Sequence, residues 1–325
     1  MQPLDQSLEG GTALDPGRPS WLGRRPALQG VAWMALASLL FASMNVLARV
    51  SSARVPWPQV AMTRALTGAL LAYGLSRARG SSLRITQSRR ESWMRTLFGT
   101  SALLATFYAL SAREVPVGDV VTLSALSPMF IALLSPWLLG ERVDRRVRVA
   151  LPVAFLGVTA VVQPTFHVAA DVAAIAMLAA MLSAMAMLWL RRIGPGESSE
   201  AIVFHFSSFA TLVCGIIALP TLRLPDTRGA IALVATGVTG GLAQLALTRA
   251  YSLDRAARLA AIGYLGIVFT EILAAVFLDE RPSLAQLMGS LLVIGAGVFL
   301  AASAWTERSS MPSQNERPAV PNRSR

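Results

Sequence analysis

The chain has 325 residues, 54% of them hydrophobic and only 14% charged, with a mean hydropathy of +0.54. A soluble globule carries about 25% charged residues, so the composition excludes an ordinary water-soluble domain and points to lipid as the main solvent. The net charge of +11 comes from 29 arginines and no lysine, which excludes Schiff-base chemistry; with no aromatic-interleaved basic patch, it does not indicate a nucleic-acid partner either.

Residues 1–27 are polar and proline-bearing and read as a disordered cytosolic tail, as do residues 307–325. Between the tails lie ten apolar segments, each near the ~20 residues that a membrane-spanning helix requires. They cover 28–50, 58–75, 93–112, 117–139, 147–163, 172–190, 201–219, 230–247, 257–278 and 283–305. Runs this long and uniform are helices, not the alternating strands of a barrel. With the N-terminus inside, 22 arginines fall in inner segments, Arg95, Arg142, Arg191 and Arg255 among them, and 6 in outer ones. This asymmetry predicts that both termini are cytosolic.

The sequence repeats itself with a period near 140 residues. Leu-Gly-Glu-Arg at Leu139–Arg142 returns as Leu-Asp-Glu-Arg at Leu278–Arg281, each closing one apolar segment and leading into another that carries Gly-Val. Gly99 and Leu104-Ala105 return as Gly237 and Leu242-Ala243. Residues 28–163 and 172–306 are therefore two copies of a five-helix unit. Five is odd, so the second copy enters the membrane inverted, an arrangement common among carriers.

The ordered set Phe41, Asn45, Arg64, Ser124-Ala-Leu-Ser-Pro-Met-Phe and Leu139–Arg142, with Gly263-Tyr-Leu and Gly295-Ala-Gly-Val in the second half, resembles the EamA family of drug/metabolite transporters. The stretch from Arg95 to Leu110 is similar to a subgroup that includes S-adenosylmethionine uptake carriers. Two departures are evident: Pro128 faces Ile267 in the second copy, and Asp279 stands where glycine is usual. The resemblance implies alternating access around a central pocket lined by both halves, with an amino acid, an S-adenosylmethionine-like compound or a related metabolite as cargo.

Arg64 and Glu271 are charges within apolar segments. An arginine at the bilayer centre costs roughly 2.5–3.5 kcal/mol on insertion scales, so Arg64 should face the bundle and meet a substrate anion, a carbonyl or an acid. Glu271 is either a proton site or the partner of Arg64. His205 is the second candidate for proton coupling. Polar lining candidates are Asn45, Thr106, Tyr108, Ser124, Gln244, Tyr264 and Thr270; any single one is more often an interhelical hydrogen-bond partner than a direct substrate contact. Pro128 and Pro136 should bend the fourth segment. Gly237 and Gly241 form a small-xxx-small pair suited to close helix packing.

Glu141 and Glu280 read as hinge residues that serve the following helix or pair locally with Arg142 and Arg281, Asp119 as a favourable helix-N-terminal charge, and Ser283 with Gln286 as a capping box. The single Cys214 excludes an intrachain disulfide, and the two histidines form no metal-spaced cluster; neither metal nor cofactor is expected. The expected partners are the bilayer and a small-molecule substrate, with no nucleic acid. A membrane-embedded enzyme and a non-transporting sensor are the alternatives. The first lacks a nucleophile motif and the second lacks a signalling domain.

Overall fold

A computed structural model describes residues 26–52, 55–111, 123–162, 170–277 and 283–309. The two expected tails lie almost wholly outside these residues, as do Asp119, Glu280 and Arg281. The described chain forms eleven α-helices, two single-turn 3-10 helices and no strand: α1 (Pro26–Ser52), α2 (Trp57–Arg79), α3 (Arg89–Ser111), α4 (Ser127–Leu139), α5 (Arg145–Val162), α6 (Ala170–Ile193), α7 (Ser199–Ala218), α8 (Thr227–Leu253), α9 (Ala256–Gly263), α10 (Leu265–Phe277) and α11 (Leu284–Ser309). Every apolar segment read from the sequence thus carries a helix or a helix pair. Leu28–Ala48, Asp171–Gly196, Ser199–Thr221 and Thr227–Leu253 are each long and apolar enough to cross a membrane.

Local chemistry sets the helix ends. Ser198 accepts the Ala201 N–H at 3.1 Å to start α7, and Asp226 accepts the Gly229 N–H at 2.9 Å to start α8. The capping box is formed: Gln286 Oε1 accepts the Ser283 N–H at 2.6 Å, and Ser283 Oγ accepts the Gln286 N–H at 3.3 Å. Gly140, at φ 67°, ends α4 in the left-handed conformation that a side chain would oppose. Large apolar side chains such as Leu133, Trp137, Leu156 and Ile216 point outwards, as they must where lipid is the neighbour.

Two of the apolar segments are not continuous helices. The fourth turns at Ala125 and Leu126 before α4 begins, and the ninth is split at Tyr264 between α9 and α10. Each break tightens to a three-residue hydrogen bond, Leu126 N–H to Leu123 O at 3.1 Å and Tyr264 N–H to Ala261 O at 3.3 Å. Pro128 therefore sits in the first turn of a new helix, where its missing N–H costs nothing, and not at a bend within one. Pro136 is inside α4, one turn before the left-handed Gly140.

The principal packing partners join one half to the other. α1 packs on α8 and α3 on α6, α2 packs on α7, α5 on α11, and α4 on α9. Exchanging the two halves (α1 for α6, α2 for α7, α3 for α8, α4 for α9–α10, α5 for α11) turns the first pair into the second and leaves the others unchanged. The halves are therefore interleaved around a shared centre, and a cavity lies there.

Candidate functional site

The central cavity has a volume of about 410 Å³, within the ~300–1,000 Å³ range of small-molecule sites. Both helix breaks face it. Ala125, Ser127 and Pro128 line it from the first half, and Gly263, Tyr264 and Ile267 from the second. Ala125 and Tyr264 are 139 residues apart, the same offset that relates Leu139 to Leu278. The Tyr264 hydroxyl donates to the Ala125 carbonyl at 2.6 Å. The repeat-equivalent breaks are thus tied directly to one another, and a carbonyl released from its helix ladder is satisfied.

α3 contributes Arg95, Gly99, Ala102, Leu103 and Thr106, a stripe at helical spacing. Arg95 is only 2% exposed. Its guanidinium lies over the Phe206 ring at 3.8 Å, which fixes the plane of its donors. Its Nε and Nη1 have no hydrogen-bond partner. A methyl group on Gly99 would stand 2.5 Å from Arg95 Nη1 and 3.1 Å from the Phe206 ring, so an alanine one turn on would make the guanidinium shift from its present place. Arg64, from α2, lines the same cavity, with its guanidinium 5.7 Å from the Phe41 ring. Gly240 makes space for it, since a methyl there would be 3.1 Å from Arg64 Nε. Gln244 of α8 lines the cavity too, and its amide nitrogen lacks a partner. None of the described lining residues is acidic.

Of the residues singled out from the sequence, Arg64, Thr106, Gln244, Tyr264 and Pro128 meet at this cavity. Asn45 and Tyr108 are exposed and outside its lining. Ser124 lies beside the first break without lining the cavity, and Thr270 donates to Gly266 O at 2.8 Å within its own helix. His205 faces Thr96, 3.0 Å from its Oγ1, and packs edge-on against Trp93 at 4.5 Å. Glu271 has its backbone in α10, but its side chain lies outside the described residues, and so does the expected pairing with Arg64. Arg95, counted from the sequence among inner topology signals, is a cavity residue instead. The signal for it is the small and polar stripe from Arg95 through Gly99 and Ala102 to Thr106, which an exposed helix end would not need.

Next to the cavity-lining Tyr251, ion pairs join the two halves. Glu141 does not pair locally: it accepts from Arg191 Nε at 2.8 Å and from the Ala256 N–H at the start of α9 at 3.2 Å. The preceding left-handed Gly140 carries the carboxylate past the end of α4, out of reach of the unfavourable helix dipole and towards the N-terminus of α9. Asp144 takes Arg255 at 2.9 Å and Arg258 at 3.4 Å. Arg191 also donates to the carbonyl of Tyr251, itself a cavity residue, at 3.2 Å. Burial pushes the Asp254 carboxyl above its ordinary range, against the pull of Arg258, Arg191 and Arg255.

A second tie joins the two halves where α2 ends and α7 begins. Glu197 accepts the N–H groups of Thr86, Gln87 and Ser88 at 2.8, 2.7 and 3.1 Å, and Glu200 pairs with Arg79 at 2.8 Å. Burial raises the Glu197 carboxyl, and the three donors outweigh it, holding the group below the usual carboxylate range. A depressed folded value means that this stabilisation is complete above the unfolded pKa and is lost as pH falls through the folded one. Glu197→Gln should therefore lower Tm at neutral pH by roughly 2–5 °C. A detergent melt repeated down through the ordinary carboxylate range and below it should show that gap closing; a gap independent of pH would assign the effect to shape and not to charge.

The EamA-like transporter family model matches residues 28–163 and 172–303. The pseudopaline exporter of Pseudomonas aeruginosa (strain UCBPP-PA14) is 33% identical over 273 residues, covering 83% of this chain and 95% of that protein. An S-adenosylmethionine uptake transporter of Rickettsia prowazekii (strain Madrid E) is 23% identical over 290 residues, with 89% and 97% covered. One solved crystal structure superposes with a TM-score of 0.72 at 20% identity, over 83% of this chain and 97% of that one; at that identity the match bears on the fold alone.

Proposed function

The chain belongs to the EamA-like transporter family of multi-pass membrane proteins, and from that premise we propose that it carries a small organic metabolite by alternating access through the central cavity. The observation that carries the reading is the meeting of two broken helices, one from each repeat, at a cavity lined by both halves. The relatives' names, an exporter of pseudopaline and an uptake carrier of S-adenosylmethionine, support a small organic cargo. The arginine asymmetry supports a cytosolic position for the Glu141–Arg191 end, where these ion pairs act as the gate. Glu271 is the candidate for coupling to protons.

Cells expressing the wild-type chain should shift the partition of at least one small metabolite between cytosol and medium, compared with cells lacking it. Arg64→Gln at matched membrane level should reduce that shift at least about ten-fold, the weight of a lost charged hydrogen bond. Equal shifts from both proteins would return Arg64 to a structural role. No shift across a broad panel that includes S-adenosylmethionine and amino acids would sink the transport reading.

A further inference from the structure

We propose that the cargo is a small organic anion whose carboxylate or phosphate is held between Arg95 and Arg64. The inference rests on the transport reading above and narrows it to a substrate class. Four observations converge on it. The cavity collects two arginines, Arg64 from α2 and Arg95 from α3. No described lining residue is acidic. Arg95 is almost completely buried with Nε and Nη1 unpartnered, and the unpartnered Gln244 amide nitrogen borders the same space.

Every unmet polar group named here is an N–H donor. A ligand that satisfies them must be rich in acceptors, and a planar guanidinium stacked on Phe206 presents the paired donors that a carboxylate or phosphate takes in bidentate fashion. A net cation would instead meet two positive charges at low dielectric, where repulsion is strongest. Phe41, Phe206, Tyr251 and Tyr264 give the rest of the ligand aromatic walls. Gly99 and Gly240 add that the backbone itself is shaped around the two arginines.

The test is untargeted metabolite profiling of cells expressing the full chain, with the compounds that move sorted by net charge at pH 7. Compounds shifted by the wild type should be net anionic. Arg95→Gln and Gly99→Ala should each cut that shift by about ten- to a hundred-fold, the second while keeping the arginine. Arg95→Lys should retain part of it, because it preserves the charge but not the fork; a merely structural role would show no such grading. Shifted organic acids assign the anion to a carboxylate, and shifted phosphate esters to a phosphate. A wild-type shift confined to neutral or cationic compounds such as S-adenosylmethionine overturns the anion proposal and leaves transport standing. So does an undiminished anion shift in Arg95→Gln. If Arg95→Gln does not reach the membrane, Gly99→Ala decides. No shift at all overturns the transport reading and this proposal together.

Discussion

Glu141→Ala should open the gate end of the cavity. The side chain pairs with Arg191 and receives the first N–H of α9, so its removal strands a partly buried arginine and an uncapped helix start at once. Losing two charge-assisted hydrogen bonds costs about 2 kcal/mol or more, roughly thirty-fold in the balance between closed and open forms. The readout is a cysteine at Met187, which lines the cavity, in a Cys214→Ser background. Cys214 is the single cysteine of the chain, so Met187→Cys is then the lone thiol. An impermeant maleimide applied from the cytosolic face of inverted vesicles should label Met187→Cys at least about ten-fold faster when alanine replaces Glu141. Labelling from the opposite face should fall. Unchanged labelling from both faces, with the protein monodisperse, would mean that the ion pairs fasten the halves without gating them.

The second large effect is steric. α8 lies so close to α2 that a methyl on Gly241 would be 3.0 Å from the Gly68 Cα and 2.7 Å from Leu71 Cδ1, and one on Gly237 would collide with Thr67. Leu71 can turn aside; the Gly68 backbone cannot. Gly241→Ala should therefore cost about 1–3 kcal/mol, and Gly241→Leu should prevent the two helices from docking at all. Fluorescence-detected size exclusion and melting in detergent read this directly. Gly74→Ala is the control, since a methyl there meets nothing within 4 Å. On helix propensity alone it should be neutral or stabilising by up to ~1 kcal/mol. Equal behaviour of the two alanine variants would sink the packing account.

Much of this architecture is legible in the sequence because lipid simplifies the code. A helix that must satisfy its own backbone in hydrocarbon announces itself by length and apolar content, and Leu139–Arg142 against Leu278–Arg281 exposes the repeat. The packing use of Gly237 and Gly241 is legible as well, since only small residues permit such an approach. What escapes is set by tertiary contacts. Pro128 hints at the first break, but the second has no proline, and its cavity face is fixed by a hydroxyl bonding to a carbonyl 139 residues away. Arg64 stands out because its neighbours are apolar; Arg95 is hidden by Arg89, Arg90 and Glu91 just before it, which make it look like the edge of a loop. Glu141 is misread for the same reason: its partners, Arg191 and Ala256, lie in the other half of the chain.

The bond between Tyr264 and Ala125 bears on how such a molecule came to be one chain. The 139-residue offset of the repeat makes these two residues equivalent positions, and both line the cavity. A homodimer of identical half-chains would have to place the same side chain there twice. Two tyrosines would compete for one space, and two alanines would leave a released carbonyl without its donor. Joining the halves after duplication lifts that constraint, letting one position stay small while the other grows. The lone hydroxyl then belongs to a single half, so under the proposed alternating access the states open to either face need not share one energy, and the preferred resting side becomes a property that a single residue can tune.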